Sequence, residues 1–263
     1  AVNFVPLTAA ERFTALQSGE IDMLSRNTTW TLVRDASLGL NFAGVSYYDG
    51  QGFMVSADLG IGSALELDGA TVCIQAGTTT ELNLADYFRA NGMTYDALVF
   101  DTSEQTVQGF ATNRCDVLTS DQSQLAALRT QLDDPAMAMV LPEVISKEPL
   151  GPVVRQGDDA FFNVVKWVLF LQINAEELGV SQANVEEMLA SEAPEIQRLL
   201  GTSGNMGELL GLPADFGYQV ISQVGNYADM FERNVGGDTP LGLPRGVNAL
   251  WTDGGILYAP PVR

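Results

Sequence analysis

The chain has 263 residues, and 13 Lys+Arg against 33 Asp+Glu leave a formal net charge of −20, with no histidine to offset it. That charge argues against nucleic acid and against anionic membrane, since both are held by basic stripes. The lack of histidine excludes a Ser-His-Asp or Cys-His hydrolase, a His-ligated zinc and a proximal-His haem. Two cysteines, Cys73 and Cys115, are too few for a Cys-only zinc or iron–sulfur site.

Apolar residues make up 46% of the chain and charged ones 17%, which is enough for a real core. The length allows one large or two small domains. The start, Ala1-Val2-Asn3-Phe4-Val5-Pro6, lacks the basic and apolar regions of a targeting segment. The most apolar stretch, 161–173, carries Asn163, Lys166 and Gln172 and is too short and polar to span a bilayer. A soluble chain without direct membrane insertion is expected.

In chain order, Val2 to Leu7 reads as a strand. Thr8 and Glu11 then form a capping box for a helix with Phe13 and Leu16 on one face, ended by Gly19. Ile21 to Leu24 is a second strand, and Thr31 can cap a short helix with Arg34 in its first turn. Tyr48 to Ala57 is extended, Leu67-Asp68-Gly69 turns, and Thr71 to Gln75 is a strand. Thr78 and Glu81 read as another capping box, opening a helix that runs to Asn91-Gly92. Ala97 to Phe100 is a strand, with a helix from about Glu104. Asp116 to Leu118 is a strand, and Asp121 can cap the helix 122–131. Met137 to Leu141 and Val153 to Arg155 are further strands. Helices are expected near 159–178, 181–190 and 216–233, and the Gly- and Pro-rich tail from Gly236 is irregular. Strands alternating with helices imply parallel βαβ units.

Three segments carry candidate chemistry. Asn27 to Arg34 places hydroxyls, helix-start N–H groups and a guanidinium in one strand-to-helix crossing, which suits a carboxylate. Gly77-Thr78-Thr79-Thr80 is a second such crossing, where Gly77 lets a ligand approach the backbone. Asp121, just past a strand, can receive an ammonium group. Two anion sites and one cation site at the carboxyl ends of strands suit a zwitterion, of which an α-amino acid is the simplest. Charge-assisted hydrogen bonds contribute roughly 1.5–3 kcal/mol each, and a micromolar site needs about 8 kcal/mol. Each segment also reads as an ordinary capped helix start or polar loop, so their occurrence together carries the argument. Trp30, Tyr47 and Tyr48 read equally as cleft walls or packing aromatics. Cys73 and Cys115 are either one disulfide or two buried thiols. Asp133-Asp134 and Glu186-Glu187 read as solvated surface. The carboxylates lack EF-hand spacing, so no metal and no cofactor is expected.

Taken together, these motifs resemble the periplasmic substrate-binding proteins of polar-amino-acid ABC transporters, most of all the general L-amino-acid-binding branch. Glu11-Arg12-Phe13-Thr14-Ala15-Leu16-Gln17-Ser18-Gly19-Glu20-Ile21-Asp22 is similar to the family's "R-x-x-A-L-x-S-G-x-x-D" signature. Asn27 to Arg34 matches its T-x-T-x-x-R loop, and Phe42 with Tyr47-Tyr48 stands where the family has its F-S-x-P-Y segment. Leu67-Asp68-Gly69 to Thr79 matches "L-x-G-x-x-V-x-x-x-x-G-T-T", and the tail from Asn248 to Pro261 resembles the branch's ending.

The resemblance implies an α/β fold of the two-lobed type II kind, with parallel-rich sheets and a helical C-terminal part. It places residues 1–57 plus 149–263 in lobe 1 and 58–148 in lobe 2. Family members begin with another strand and helix before the segment matching Val2 to Leu7, so the resemblance implies an N-terminally truncated first lobe. It assigns Arg34 to the ligand's α-carboxylate, Asp121 to its α-ammonium, and Thr29 and Thr79 to carboxylate contacts. Asn27 falls near the ammonium, and Arg12 where acidic-amino-acid binders reach the side chain. Gly77 and Thr78 complete the site. The implied function is a periplasmic receptor, not an enzyme, that closes on polar L-amino acids, with glutamate, aspartate and their amides favoured within a range that can be broad, and delivers them to an ABC permease. The rivals are a binding-incompetent remnant acting through protein contacts, and a dehydratase-like enzyme using Glu11 or Glu104.

Overall fold

The structure, a computed structural model, describes residues 2–263. In chain order it runs α1 (Arg12–Ser18), β1 (Met23–Leu24), α2 (Leu32–Ser37), β2 (Leu40–Phe42), β3 (Tyr47–Asp49), β4 (Gln51–Ser56), β5 (Ala70–Gln75), α3 (Thr80–Ala90), β6 (Tyr95–Phe100), α4 (Ser103–Ala111), β7 (Val117–Asp121), α5 (Gln122–Arg129) and β8 (Ala138–Val140). It continues with β9 (Glu148–Leu150), β10 (Val153–Arg155), α6 (Asp159–Glu177), α7 (Val185–Met188), α8 (Pro194–Leu200), α9 (Met206–Leu209), α10 (Phe216–Val224) and α11 (Tyr227–Asn234). Two compact units result: Ala1–Leu40 with Tyr47–Gly151, and Asn41–Ser46 with Pro152–Arg263. The expected lobes have other bounds, for here residues 1–40 and 47–57 cluster with 58–148.

The first unit is built on a five-stranded sheet of order β6-β5-β7-β4-β8. β5 is parallel to β6 and β7, whereas β4 is antiparallel to β7 and β8. The sheet is therefore mixed, parallel on one side only. Side chains alternate across its faces, as the two-residue period of a strand requires. Phe53, Val55, Val72, Ile74 and Val117 join Leu84 and Phe88 of α3 on one face. Met54, Cys73 and Leu118 join Val107 and Phe110 of α4 and Leu125 and Leu128 of α5 on the other. Burying each such large side chain contributes about 1.5–3 kcal/mol. Cys73 and Cys115 form a disulfide, which decides between the two readings of that pair. A separate antiparallel ribbon pairs β3 with β9.

The second unit is largely helical. Leu171, Val180, Leu199, Leu200, Phe216 and Ile221 form its core. β2, whose Asn41 and Phe42 belong here, neighbours β10. Arg245 and Glu176 form an ion pair at 2.8 Å, with the guanidinium over the rings of Tyr227 and Phe231. The expected helix 216–233 is two helices, parted at Gly225, whose φ is +93°, with Asn226 closing a capping box on the second. Helices α8 and α9 lie in a stretch left unassigned from the sequence.

Two local expectations fail. Residues 2–7 form no strand; Val2 and Phe4 are exposed, so their apolar alternation meets nothing to bury against. Thr78 and Glu81 form no capping box. The Thr78 hydroxyl donates back to the Gln75 carbonyl at 2.8 Å, Thr79 takes the N-cap position, and Glu81 is thereby one residue too early to reach back. By contrast the Thr8–Glu11 box forms, and Thr31 caps α2 by accepting from the Arg34 N–H. No helix among the described residues is long and apolar enough to cross a membrane.

Candidate functional site

The first unit contains a small polar pocket. Its walls come from the polar run after β1, the start of α3 and the end of β7. Arg12, Asn27, Thr29, Thr78, Thr79 and Asp121 all line it. Asp121 occupies the N-cap position of α5 but makes no capping bond. Its Oδ2 instead accepts from Asn27 Nδ2 at 2.9 Å, and Asn27 also donates to Gln124 Oε1 at 2.8 Å. Burial pushes the Asp121 carboxyl up to about 7, with Asp49 and Glu148 adding repulsion and Asn27 and Arg12 opposing. A carboxylate so placed gains from a cation.

Arg12 is buried, and its Nη1 donates to the Asn27 carbonyl at 3.2 Å while its Nε has no partner. Burial, with Arg34 and Arg26 nearby, brings it down to about 9, so it stays charged at neutral pH. The Arg12 and Arg34 guanidiniums each lie over the Phe13 ring, at 4.9 and 5.0 Å. Such stacking keeps a buried guanidinium planar and placed.

Behind the pocket wall stands Glu148 on β9, almost wholly buried. Its Oε2 accepts from Thr29 Oγ1 at 2.5 Å and Thr79 Oγ1 at 3.0 Å, and its Oε1 from Asn83 Nδ2 at 2.7 Å and Ser146 Oγ at 2.6 Å. These bonds tie Asn27 and Thr29 to residues 121 and 148 of the same unit.

No protein-family model matches the chain. Individual proteins do. It is 57% identical over 264 residues to the general L-amino acid-binding periplasmic protein AapJ of Rhizobium johnstonii, covering all of this chain and 77% of that protein. It is 54% identical over 263 residues to the glutamate/glutamine/aspartate/asparagine-binding protein BztA of Rhodobacter capsulatus, covering all of this chain and 78% of the other. A solved periplasmic binding protein from Brucella ovis with glutathione bound superposes with a TM-score of 0.98 at 54% identity, over 99% of this chain and 83% of that one. This chain belongs to the binding proteins of amino-acid ABC transporters. Its fold is that family's type II fold.

Within this binding protein, six of the eight residues expected from the sequence line the pocket, and two do not. Arg34 is nearly buried behind Thr29, with Nη1 on the Thr29 carbonyl at 3.0 Å; burial lowers its pKa, against Glu148 and Asp121. Gly77 has φ +74°, and a Cβ there would stand 2.9 Å from Ala10 Cα. Its small size serves the approach of Ala10 rather than of a ligand. Of the cleft aromatics proposed, Trp30, Tyr47 and Tyr48 are part-exposed and not among the lining residues.

Thr80, the end of the second candidate segment, is on the wall too; sequence reasoning missed Arg26, Gln75, Ser120 and Gln124 there, and Glu148 behind it. Arg26 and Ser120 adjoin identified residues. Gln124 lies three residues after Asp121, on the same face at the start of α5. Glu148 gave no signal, because it stands in a short strand with no motif around it. The carboxylates weighed for an enzyme, Glu11 and Glu104, are both held below the usual range, Glu11 by hydrogen bonds from Thr8 and Glu104 by backbone and hydroxyl donors. That is the opposite of a poised general acid.

Proposed function

We propose that this binding protein captures polar L-amino acids in the periplasm, with glutamate, aspartate and their amides favoured, and hands them to an ABC permease. The observation that carries the reading is one pocket holding a buried carboxylate, Asp121, and a buried guanidinium, Arg12, whose Nε is unpartnered. A zwitterion with a polar side chain satisfies both. Asp121, steadied by Asn27, takes the α-ammonium. The α-carboxylate meets the unpaired N–H groups at the start of α3, around Thr78 and Thr79, and the charge of Arg34 beside Thr29. The side-chain carboxylate or amide goes to Arg12 and Arg26. The ligand classes in the names of AapJ and BztA support this choice. The two expected lobes, 1–57 plus 149–263 and 58–148, then act as the bodies that close on the ligand, and closure is the signal read by the permease.

Calorimetric titration with L-glutamate, L-glutamine and L-arginine tests the reading, with Asp121→Asn and Arg34→Ala as controls. Micromolar binding that weakens at least tenfold in both controls is expected. Glutathione belongs in the panel, since its γ-glutamyl head carries the same α-ammonium and α-carboxylate and the Brucella ovis protein was solved with it bound. A folded chain that binds none of these sinks the reading.

A further inference from the structure

Glu148 is not on the pocket wall, yet it touches the two hydroxyls that are. A threonine hydroxyl has one proton and two lone pairs. Thr29 and Thr79 each reach the same oxygen, Glu148 Oε2, at 2.5 and 3.0 Å, closer than the 3.4 Å between their own hydroxyl oxygens, so their protons go to the carboxylate; Asn83 and Ser146 fill the other oxygen. Four donors match the four lone-pair sites of an ionised carboxylate. None of these partners is a cation. β9 holds the residue in place through its ladder with β3, where Glu148 stands opposite Asp49.

With their protons spent, the hydroxyls of Thr29 and Thr79 have only lone pairs to offer the pocket. They share its wall with Asp121, itself an acceptor. The negative charges around them are Asp121, Asp49 and Glu148, opposed by Arg12, Arg26 and Arg34. We infer that Glu148 is a positioning residue: by taking the protons of Thr29 and Thr79 it turns both hydroxyls into acceptors and makes that wall select a ligand bearing a primary ammonium. This departs from the carboxylate contacts that the family resemblance assigns to the Thr29 and Thr79 side chains. It rests on the amino-acid reading above and adds the means by which the amino group is told from its absence.

The test compares L-glutamate with glutarate, the same skeleton without nitrogen, by competition so that a weak analogue still gives a value. Where L-glutamine or L-arginine binds more tightly, that amino acid and its deaminated acid are used. Glu148→Gln replaces one of the two acceptor oxygens by an N–H donor; facing Thr29 and Thr79, that donor makes a hydroxyl turn its own proton toward the pocket. The amino-acid preference should fall about tenfold or more, with the deaminated acid unchanged or tighter. Thr79→Val removes that hydroxyl's lone pairs while leaving Glu148 in place with three of its four donors, and it keeps the test standing if Glu148→Gln does not fold. It should weaken the amino acid about tenfold and leave the deaminated acid as it was.

Equal weakening of both ligands by either variant overturns the inference, since it marks a structural role or a hydroxyl that donates to the ligand's carboxylate. Tighter amino-acid binding in Glu148→Gln also overturns it, as it would make Glu148 a competitor for the ligand's place. Wild-type protein that binds the amino acid while both variants keep the preference refutes this inference alone. Wild-type protein that binds no amino acid refutes it together with the reading it rests on.

Discussion

The two compact units bury polar groups in opposite ways. In the helical unit the buried polar side chains are amides, and they are spent mostly on backbone: Gln172 on Gly225 and on Met230 Sδ, Asn174 on Phe170 and Pro260, Asn226 on Val180. In the sheet unit the buried side chains include Arg12, Arg34, Asp121 and Glu148, which are all the buried charged residues among those described. There Arg12 Nε, Thr28 Oγ1, Gln51 Oε1 and Glu143 Oε2 are unpartnered, against Arg198 Nε in the helical unit. A satisfied amide fixes a fold. Buried charges with valence left over cost stability until a ligand completes them, which is how a binding site differs from a core.

The comparison can be broken first at the disulfide, which lies wholly in the sheet unit. Cys73–Cys115 closes 42 residues, and the chain-entropy relation then predicts a loss of about 4 kcal/mol for the double serine variant. Denaturant unfolding should show that loss in the sheet unit's transition, and equal losses in both units would refute their independence. A core truncation in the other unit should do the reverse. Leu199 is fully buried, so Leu199→Ala should cost about 2–5 kcal/mol while amino-acid affinity stays within about twofold.

Asp121→Asn sharpens the contrast at the site. Loss of the ammonium's ionic partner should weaken amino-acid binding about 100-fold, near 2.7 kcal/mol. The pH dependence follows from the raised carboxyl. Its folded value of about 7 exceeds its ordinary 3.8, so between those limits the ligand-free fold holds a proton that the unfolded chain has released. Stability from this group is therefore greatest at the acid end and falls as pH rises toward 7. Ligand affinity runs the other way, because the ammonium needs the ionised form; it should drop about tenfold per unit below 7. Melting and titration between pH 5 and 8 read both slopes, and Asp121→Asn should flatten both.

How much of this was legible beforehand divides along the same line. The helix starts at Thr8 and Thr31, the turn at Leu67-Asp68-Gly69 and most strands could be read because each is fixed by neighbours in sequence. Asp121 could be read as a site candidate because its surroundings, a strand end and a helix start, are local too. The antiparallel half of the sheet could not, since nothing local in β4 says that it pairs with β7 and β8 in that sense. Glu148 could not, because its meaning lies in four donors from residues 29, 79, 83 and 146. Val2 to Leu7 misled because alternation marks a strand only where a partner and a core exist to receive it.

The smallest effects come from two helix caps, one in each unit, and they sharpen the comparison because their costs are matched. Thr31 accepts from the Arg34 N–H at 3.3 Å to open α2, and Asp158 accepts from the Phe161 N–H at 2.9 Å to open α6. Replacing either with alanine should cost about 1 kcal/mol of stability. Beyond that the two should part. Asp158 starts a helix none of whose residues lines the pocket, so Asp158→Ala should leave amino-acid affinity unchanged. Thr31 sets the first turn that carries Arg34, whose guanidinium holds the Thr29 carbonyl at 3.0 Å beside the pocket wall. Loosening that turn moves a charge and a hydroxyl together, and a small misplacement of positioned groups lowers affinity out of proportion to its cost in stability. A several-fold weaker amino-acid affinity in Thr31→Ala, at the same melting temperature as Asp158→Ala, is the expected result. Equal affinities in the two variants would place Arg34 outside the binding machinery.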